Sequence, residues 1–135
     1  MKVISKIRRE FRLTGLQLMM LGLNSSHSGN ISVMEGETMF MTRSGAMLGC
    51  LAAADMMEAT LHADPPEGIS MEYPLHRAIY ENTGSKAVLH CHPPHAIALS
   101  LESDEIVPLD LEGRHALGYV PVIRADADLL SIVPG

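Results

Sequence analysis

The chain has 135 residues, enough for one domain with a buried core, and it is 47% hydrophobic and 19% charged, as globular proteins are. Its net charge of -6 argues against nucleic-acid binding. No apolar run in the sequence approaches the ~20 residues that a membrane-spanning helix needs. The charged N-terminus does not resemble a signal peptide, so we expect a cytoplasmic location. We also expect Cys50 and Cys91 to be small, buried, reduced side chains rather than a disulfide framework.

The N-terminal part of the sequence predicts a long helix followed by a hairpin. Apolar residues recur every three or four positions over residues 3–23, which indicates an amphipathic helix. Residues 31–33 and 38–41 flank a Glu-Gly-Glu turn, a pattern typical of two antiparallel strands. Residues 42–45 form a second polar turn.

The following elements are shorter. Residues 47–54 favour a short helix, and residues 56–61 are either a strand or its continuation, because periodicity does not separate the two. Ser70 is placed to cap a helix that has Pro74 in its first turn and runs to about Glu81. Five further elements follow. They are a strand around residues 86–92, a helix from 93 to about 101, candidate strands at 106–109 and 119–123, and a last turn or helix from 125.

The strand around residues 86–92 contains a His-x-His pair. In an extended strand, His90 and His92 leave the same face with backbones roughly 6–7 Å apart, so both imidazoles can reach one metal ion. Two prolines then end the strand, and a ligand site is expected where such a strand opens into a loop. The spacing alone is compatible with a metal site or with two histidines on a half-exposed strand.

Three polar loops are candidate anion sites, because glycine beside small hydroxyl or amide side chains lets backbone N–H groups approach a phosphate. Each is also compatible with an ordinary turn. Glu72, at the predicted helix start, is either a favourable cap or, in a closed pocket beside a cation, a general acid/base. His76 lies one helical turn further on and is either a partner of the site or a structural histidine; we favour the structural role. The three loops are residues 28–30, residues 44–45, and Ser70 with Glu72.

Four motifs in this order and spacing resemble the class II aldolase/adducin family. They are Gly-Asn-Ile-Ser at 29–32, Thr-Arg-Ser-Gly at 42–45, Ser-Met-Glu at 70–72 with His76, and Ala-Val-Leu-His-Cys-His at 87–92. The resemblance implies an α/β fold, a three-layer α/β/α sandwich around a mainly antiparallel sheet, usually assembled as a homotetramer. We expect residues 1–135 to form a single domain of this type that lacks the family's C-terminal portion.

The resemblance also implies a reaction and the residues that perform it. It makes His90 and His92 ligands of zinc or another divalent metal, and Glu72 the catalytic acid/base. The implied enzyme cleaves a ketose 1-phosphate, such as L-fuculose 1-phosphate, to dihydroxyacetone phosphate and an aldehyde through a metal-stabilised enediolate. The residues expected around the substrate phosphate are Gly29, Asn30, Ser44, Gly45 and Ser70.

Two positions depart from the family's pattern. Met71 stands where a second phosphate-binding serine is common, and the family's third zinc histidine falls in a strand later than residue 135. A catalytic zinc ion takes three protein ligands, so His95, His115 and Glu72 are the candidates for a third one in this sequence. The alternative functions are a pentulose-5-phosphate 4-epimerase or sugar-phosphate dehydratase of the same family, or a non-catalytic, adducin-like self-association domain.

Overall fold

A four-stranded antiparallel sheet lies at the centre of the protein, whose residues 2–124 are described by a computed structural model. Its strands lie in the order β3-β2-β1-β4, with every neighbouring pair antiparallel. The predicted hairpin is confirmed, because the first two strands pair directly across the turn at Gly36. Residues 56–61, for which periodicity favours no single element, contain a strand. The bounds are β1 Asn30–Glu35, β2 Thr38–Thr42, β3 Met56–Thr60 and β4 Ala87–His90.

Helix α1 (Lys2–Met20) covers one face of this sheet. Its buried positions recur at helical spacing and pack on β1 and β2. The helix ends before the predicted residue 23 because Gly22 takes a left-handed φ of 68°, and the N–H of Leu23 then donates to the carbonyl of Leu18. The buried cluster on this side is Ile7, Phe11, Leu18, Ile31, Phe40, Ala46, Leu48 and Leu51.

Helix α2 (Tyr73–Asn82) covers the opposite face and completes the three-layer α/β/α sandwich that the resemblance implied. The prediction that Ser70 caps this helix is wrong in detail, because Glu72 occupies the cap position. Ser70 instead accepts a 3.3 Å hydrogen bond from the N–H of Glu72 through its Oγ. The buried cluster beneath α2 is Met39, Met41, Ala59, Ile69, Tyr73 and Tyr80.

The segment before β3 is not the short helix predicted over residues 47–54. It forms two separate 3-10 turns, Leu48–Cys50 and Ala53–Asp55. Leu51 between them has a ψ of 125°, outside the helical range, and its side chain enters the core beneath α1. Both cysteines are free thiols, as expected, but neither is fully buried. Cys91 is partly buried, and Cys50 is exposed because Leu48 and Leu51 take the core positions.

Residues 94–124 form short elements outside the central sheet. The helix predicted from residue 93 to about 101 is α3 (Pro94–Ser100). The two candidate strands are shorter than predicted. They are the two-residue strands β5 (Glu105–Ile106) and β6 (Val120–Pro121), which pair with each other. Among residues 94–124, none is buried.

Helix α4 (Leu111–Leu117) contains His115 and lies in a segment for which the sequence predicted no helix or strand. Asp110 caps this helix by accepting a 2.7 Å bond from the N–H of Gly113. The turn or helix predicted from residue 125 lies outside the described residues. Within residues 2–124, none of the helices combines the length and apolar character needed to cross a membrane.

Candidate active site

All the site residues predicted from the sequence line one cavity of about 170 Å³. The fold brings them from four places in the chain: the start of β1, the loop after β2, the loop before α2 and the end of β4. The strand register accounts for part of this, because Asn30 pairs directly with His90 across β1 and β4. The predicted residues in the cavity wall are Gly29, Asn30, Ser44, Gly45, Ser70, Glu72, His90 and His92.

The carboxylate of Glu72 meets the imidazole of His90. Its Oε2 lies 2.5 Å from Nδ1 of the histidine. A carboxylate only accepts, so Nδ1 of His90 donates this hydrogen bond, and Nε2 is the ring nitrogen that the bond leaves available. Although Glu72 occupies the cap position of α2, its side chain makes no capping hydrogen bond to the described part of that helix. The carboxylate therefore faces the cavity, where a general acid/base has to be.

His90 and His92 face the same cavity, but not for the reason predicted. Strand β4 ends at His90, so strand alternation does not extend to His92. The backbone N–H of His92 donates to Oδ1 of Asn24 at 3.0 Å and to the carbonyl of Leu23 at 2.8 Å. Held in this way, its ring stacks on that of His90, with centroids 4.8 Å apart and planes 28° apart.

The chemistry of these donors fits a divalent metal ion such as zinc, which takes imidazole nitrogen and carboxylate oxygen. The described part of the chain supplies the two stacked imidazoles, with Glu72 hydrogen-bonded to one of them. It holds no group of three histidine, cysteine or acidic side chains arranged around a common point. His95 on α3 and His115 on α4 lie outside the cavity wall, so neither completes the pair.

Backbone hydrogen bonds join the loop after β2 to the loop before α2. The N–H of Ser44 donates to the carbonyl of Gly68 at 2.8 Å, and the N–H of Ser70 donates to the carbonyl of Thr42 at 3.3 Å. Both serine amides are therefore used within the protein. The serine hydroxyls remain beside the cavity as donors for an anion.

Gly29 and Asn30 form the edge of the site next to β4. Gly29 has a φ of 75°, and a Cβ there would lie 2.5 Å from both the Asn24 side chain and the carbonyl oxygen of His90. Nδ2 of Asn30 is 3.3 Å from Nδ1 of His90. The buried Oδ1 of Asn30 has no hydrogen-bond partner within residues 2–124, which leaves an acceptor beside the histidines.

His27, Arg43 and Met71 also line the cavity and were not predicted as site residues. The sequence carried a signal for one of them, because Arg43 lies inside the Thr-Arg-Ser-Gly motif. Its Nε donates to Oδ1 of Asp55 at 2.6 Å. The N–H of Ala52, aided by Arg43, holds the pKa of Asp55 below its ordinary value against the opposing effect of burial.

His76 lies behind the site and has the structural role that we favoured. Its Nδ1 is 2.7 Å from Oγ of Ser32, which is 2.6 Å from the hydroxyl of Tyr80. Burial lowers the pKa of His76 to about 4; the charge of Glu72 opposes this shift, and His90 adds to it. The ring is therefore neutral at pH 7.

Comparison with known proteins identifies the family to which this chain belongs. Residues 9–132 match the family described as the Class II Aldolase and Adducin N-terminal domain. The crystal structure of L-fuculose-1-phosphate aldolase from Thermus thermophilus is similar, with a TM-score of 0.84 and 39% identity over 87% of this chain and 60% of that one. The chain belongs to the class II aldolase/adducin family.

Two further relatives carry other reaction names. 3-Oxo-tetronate 4-phosphate decarboxylase from Cupriavidus necator is 31% identical over 134 residues, 91% of this chain and 60% of that protein. Methylthioribulose-1-phosphate dehydratase from Acidiphilium cryptum is 33% identical over 126 residues, 90% of this chain and 59% of that protein. The chain thus spans about three fifths of each of these proteins. Their names describe an aldolase, a decarboxylase and a dehydratase, which are all lyases.

Proposed function

We propose that this chain acts as a divalent-metal-dependent lyase on a sugar phosphate. We further propose class II aldolase cleavage of a ketose 1-phosphate, such as L-fuculose 1-phosphate, to dihydroxyacetone phosphate and an aldehyde. The observation that carries the proposal is the single cavity shared by Glu72, His90, His92 and the polar loops. Proton transfer, metal binding and anion binding would then all occur within reach of one small substrate.

The metal would be held by His92 and by His90, whose Nε2 is left free by the bond from its Nδ1 to Glu72. When bound, a divalent metal ion supplies a Lewis acid that stabilises negative charge developing on substrate oxygens. The donor types favour zinc over magnesium or calcium, which prefer oxygen ligands.

Glu72 is proposed as the acid/base. Cleavage removes the hydroxyl proton from the carbon that becomes the aldehyde, and the electron pair of the broken carbon–carbon bond stays on the dihydroxyacetone phosphate fragment. A proton is then delivered to the carbon of this fragment that has kept the electron pair, which completes dihydroxyacetone phosphate. The N–H of His90 orients the Glu72 carboxylate in the cavity, so that it can move protons at a bound substrate.

The loop after β2 and the loop before α2 are proposed to bind the phosphate group. Ser44, Gly45 and Ser70 line the same cavity as the carboxylate, and their loops are joined by backbone bonds. A phosphate fixed there would hold the reacting carbon at a constant distance from Glu72, which reduces the entropic part of the barrier.

The decarboxylase and dehydratase relatives favour a second candidate reaction, loss of carbon dioxide or water from a sugar phosphate at the same site. Both matches cover at least as much of this chain as the aldolase structure does. The epimerase, the adducin-like scaffold, the homotetramer and the cytoplasmic location remain predictions.

The test uses the full chain loaded with zinc or manganese. It is incubated separately with L-fuculose 1-phosphate, 3-oxo-tetronate 4-phosphate and methylthioribulose 1-phosphate. We expect dihydroxyacetone phosphate from the first, measured by coupled reduction with NADH. Glu72→Gln should lower kcat by about 100-fold or more, because it removes the proton-transferring group but keeps the side-chain shape.

Glu67→Gln is the matched control, since this exposed glutamate lies in the preceding loop outside the cavity wall. It should leave the rate unchanged. Consumption of only the second or third compound would replace the aldolase reaction with decarboxylation or dehydration. If the metal-loaded chain consumes none of the three, or if Glu72→Gln is fully active, the proposal is wrong.

A further inference from the structure

Among the described residues, Arg43 provides the only permanent positive charge in the wall of the candidate active site. The residues of this part of the chain that line the cavity include one arginine, no lysine and one carboxylate, that of Glu72. An arginine guanidinium keeps its charge at every pH at which the protein works. A dianionic phosphate entering this cavity therefore depends on Arg43 for charge compensation from the protein.

The guanidinium is held in one orientation while part of it stays available. Nε donates to Oδ1 of Asp55 at 2.6 Å, and Nη1 donates to the carbonyl of Ser44 at 3.0 Å. A guanidinium has five N–H donors, and these two bonds leave the remaining donors without an acceptor among residues 2–124. The side chain is 48% exposed, so these donors are accessible to a ligand.

Asp55 is itself fixed, so it acts as an anchor for the arginine. Its Oδ2 accepts from the N–H of Ala52 at 2.8 Å, and its backbone carbonyl accepts from the N–H of Arg43 at 2.8 Å. The carboxylate bonds to Nε, which leaves Nη2 outside the ion pair. An arginine anchored at one edge loses little conformational freedom when its other edge binds an anion.

We propose that Arg43 is a specificity-determining residue that binds the phosphate group of the substrate through the guanidinium edge that Asp55 and Ser44 leave free. This inference rests on the proposed sugar-phosphate reaction. It gives the site a preference for phosphorylated over neutral sugars, because charge-assisted bonds from arginine to phosphate are about twice as strong as neutral hydrogen bonds.

Binding is measured by isothermal titration of the full chain with inorganic phosphate, without added metal so that phosphate has no ion to coordinate. We expect Arg43→Gln to weaken phosphate binding about ten-fold or more. Arg43→Lys should give a smaller loss, because lysine keeps the charge but loses the fork that serves Asp55 and a ligand together. Arg77→Gln is the matched control, because Arg77 on α2 is also partly exposed and paired with a carboxylate, yet lies outside the cavity wall.

Thermal melts of each variant check that the fold is retained, and Arg43→Lys serves as the test if Arg43→Gln does not fold. The inference is overturned if the wild-type chain does not bind phosphate, or if the Arg43 variants bind it as tightly as the wild type does. A loss of phosphate affinity without turnover of any sugar phosphate would refute the proposed reaction and leave Arg43 as an anion-binding residue. Turnover with unchanged phosphate affinity in the variants would refute only the role of Arg43.

Discussion

Among single residues, His76 makes the stability of the folded protein depend on pH. Its pKa of about 4 in the folded protein lies below the ordinary 6.5, so the unfolded chain takes up a proton first as the pH falls. The contribution to stability is therefore intact above pH 6.5 and is lost progressively between 6.5 and about 4. We expect this residue alone to lower the free energy of unfolding by roughly 2 kcal/mol at pH 5 relative to pH 7.5, measured by urea denaturation.

His76→Gln provides the comparison, because the amide oxygen can still accept from Ser32 but does not titrate. Its stability should depend less steeply on pH than that of the wild type over this range. His95→Gln, a change at an exposed histidine on α3, should keep the wild-type slope. An equal slope in all three proteins would show that burial does not disfavour the charged form of His76.

The residue types of the site could be predicted from the sequence, but some of their contacts could not. Glu72, His90 and His92 were identified because a carboxylate at a helix start and a His-x-His pair carry local signals. No local sequence pattern predicts the ion pair between Arg43 and Asp55. It forms because β2 and β3 are paired in a register that sets Thr42 opposite Met56, which is decided by the packing of the whole sheet.

Among the secondary-structure elements, α1 depends on a glycine for its packing. A Cβ at Gly15 would overlap with the backbone carbonyl of Leu48 in the first 3-10 turn. Gly to Ala normally stabilises a helix interior by up to about 1 kcal/mol. Here we expect Gly15→Ala to lower the free energy of unfolding by about 1–3 kcal/mol, because the helix or the turn has to move away.

Chemical denaturation measures this change, and Gly84→Ala is the control. A Cβ at Gly84 meets nothing within 4 Å among the described residues. The control should be close to the wild type in stability. A Gly15→Ala protein more stable than the wild type would mean that the contact between α1 and the turn is looser than the structure shows.

The elements that the sequence predicted well are those with strong periodicity or a clear turn: α1, the β1–β2 hairpin and α2. The helix predicted over residues 47–54 is wrong. Their apolar side chains fit a helix, but Leu51 reaches the core only if the helix is interrupted. Helix α4 was missed because Gly113 is a weak helix former, although Asp110 before it was a readable capping signal.

For the molecule as a whole, burial is unevenly distributed along the chain. The sheet and its two covering helices contain the buried clusters, whereas none of residues 94–124 is buried. Leu101, Leu109 and Leu111 are 82%, 88% and 81% exposed. Local opening costs little free energy where few apolar contacts are lost. We therefore expect the amides of residues 94–124 to exchange with deuterium well before those of β1 and β2, measured by mass spectrometry of peptides.

Residues 73–82 of α2 serve as the internal reference for that experiment, because α2 buries Tyr73, His76 and Tyr80 against the sheet. Their amides should exchange nearly as slowly as those of the strands. Equal protection of α3 and β2 would contradict the expectation and would show that residues 94–124 are stabilised by contacts that exposure does not reveal.

The backbone hydrogen bonds between Ser44 and Gly68, and between Ser70 and Thr42, tie the two serine loops to each other as one structural unit. The Oγ of Ser70 also accepts from the N–H of Glu72, so the first turn of α2 is attached to the same unit. A ligand that displaces either serine loop therefore has to stretch or break at least one of these three hydrogen bonds, which connect both loops to the start of the helix that follows Glu72.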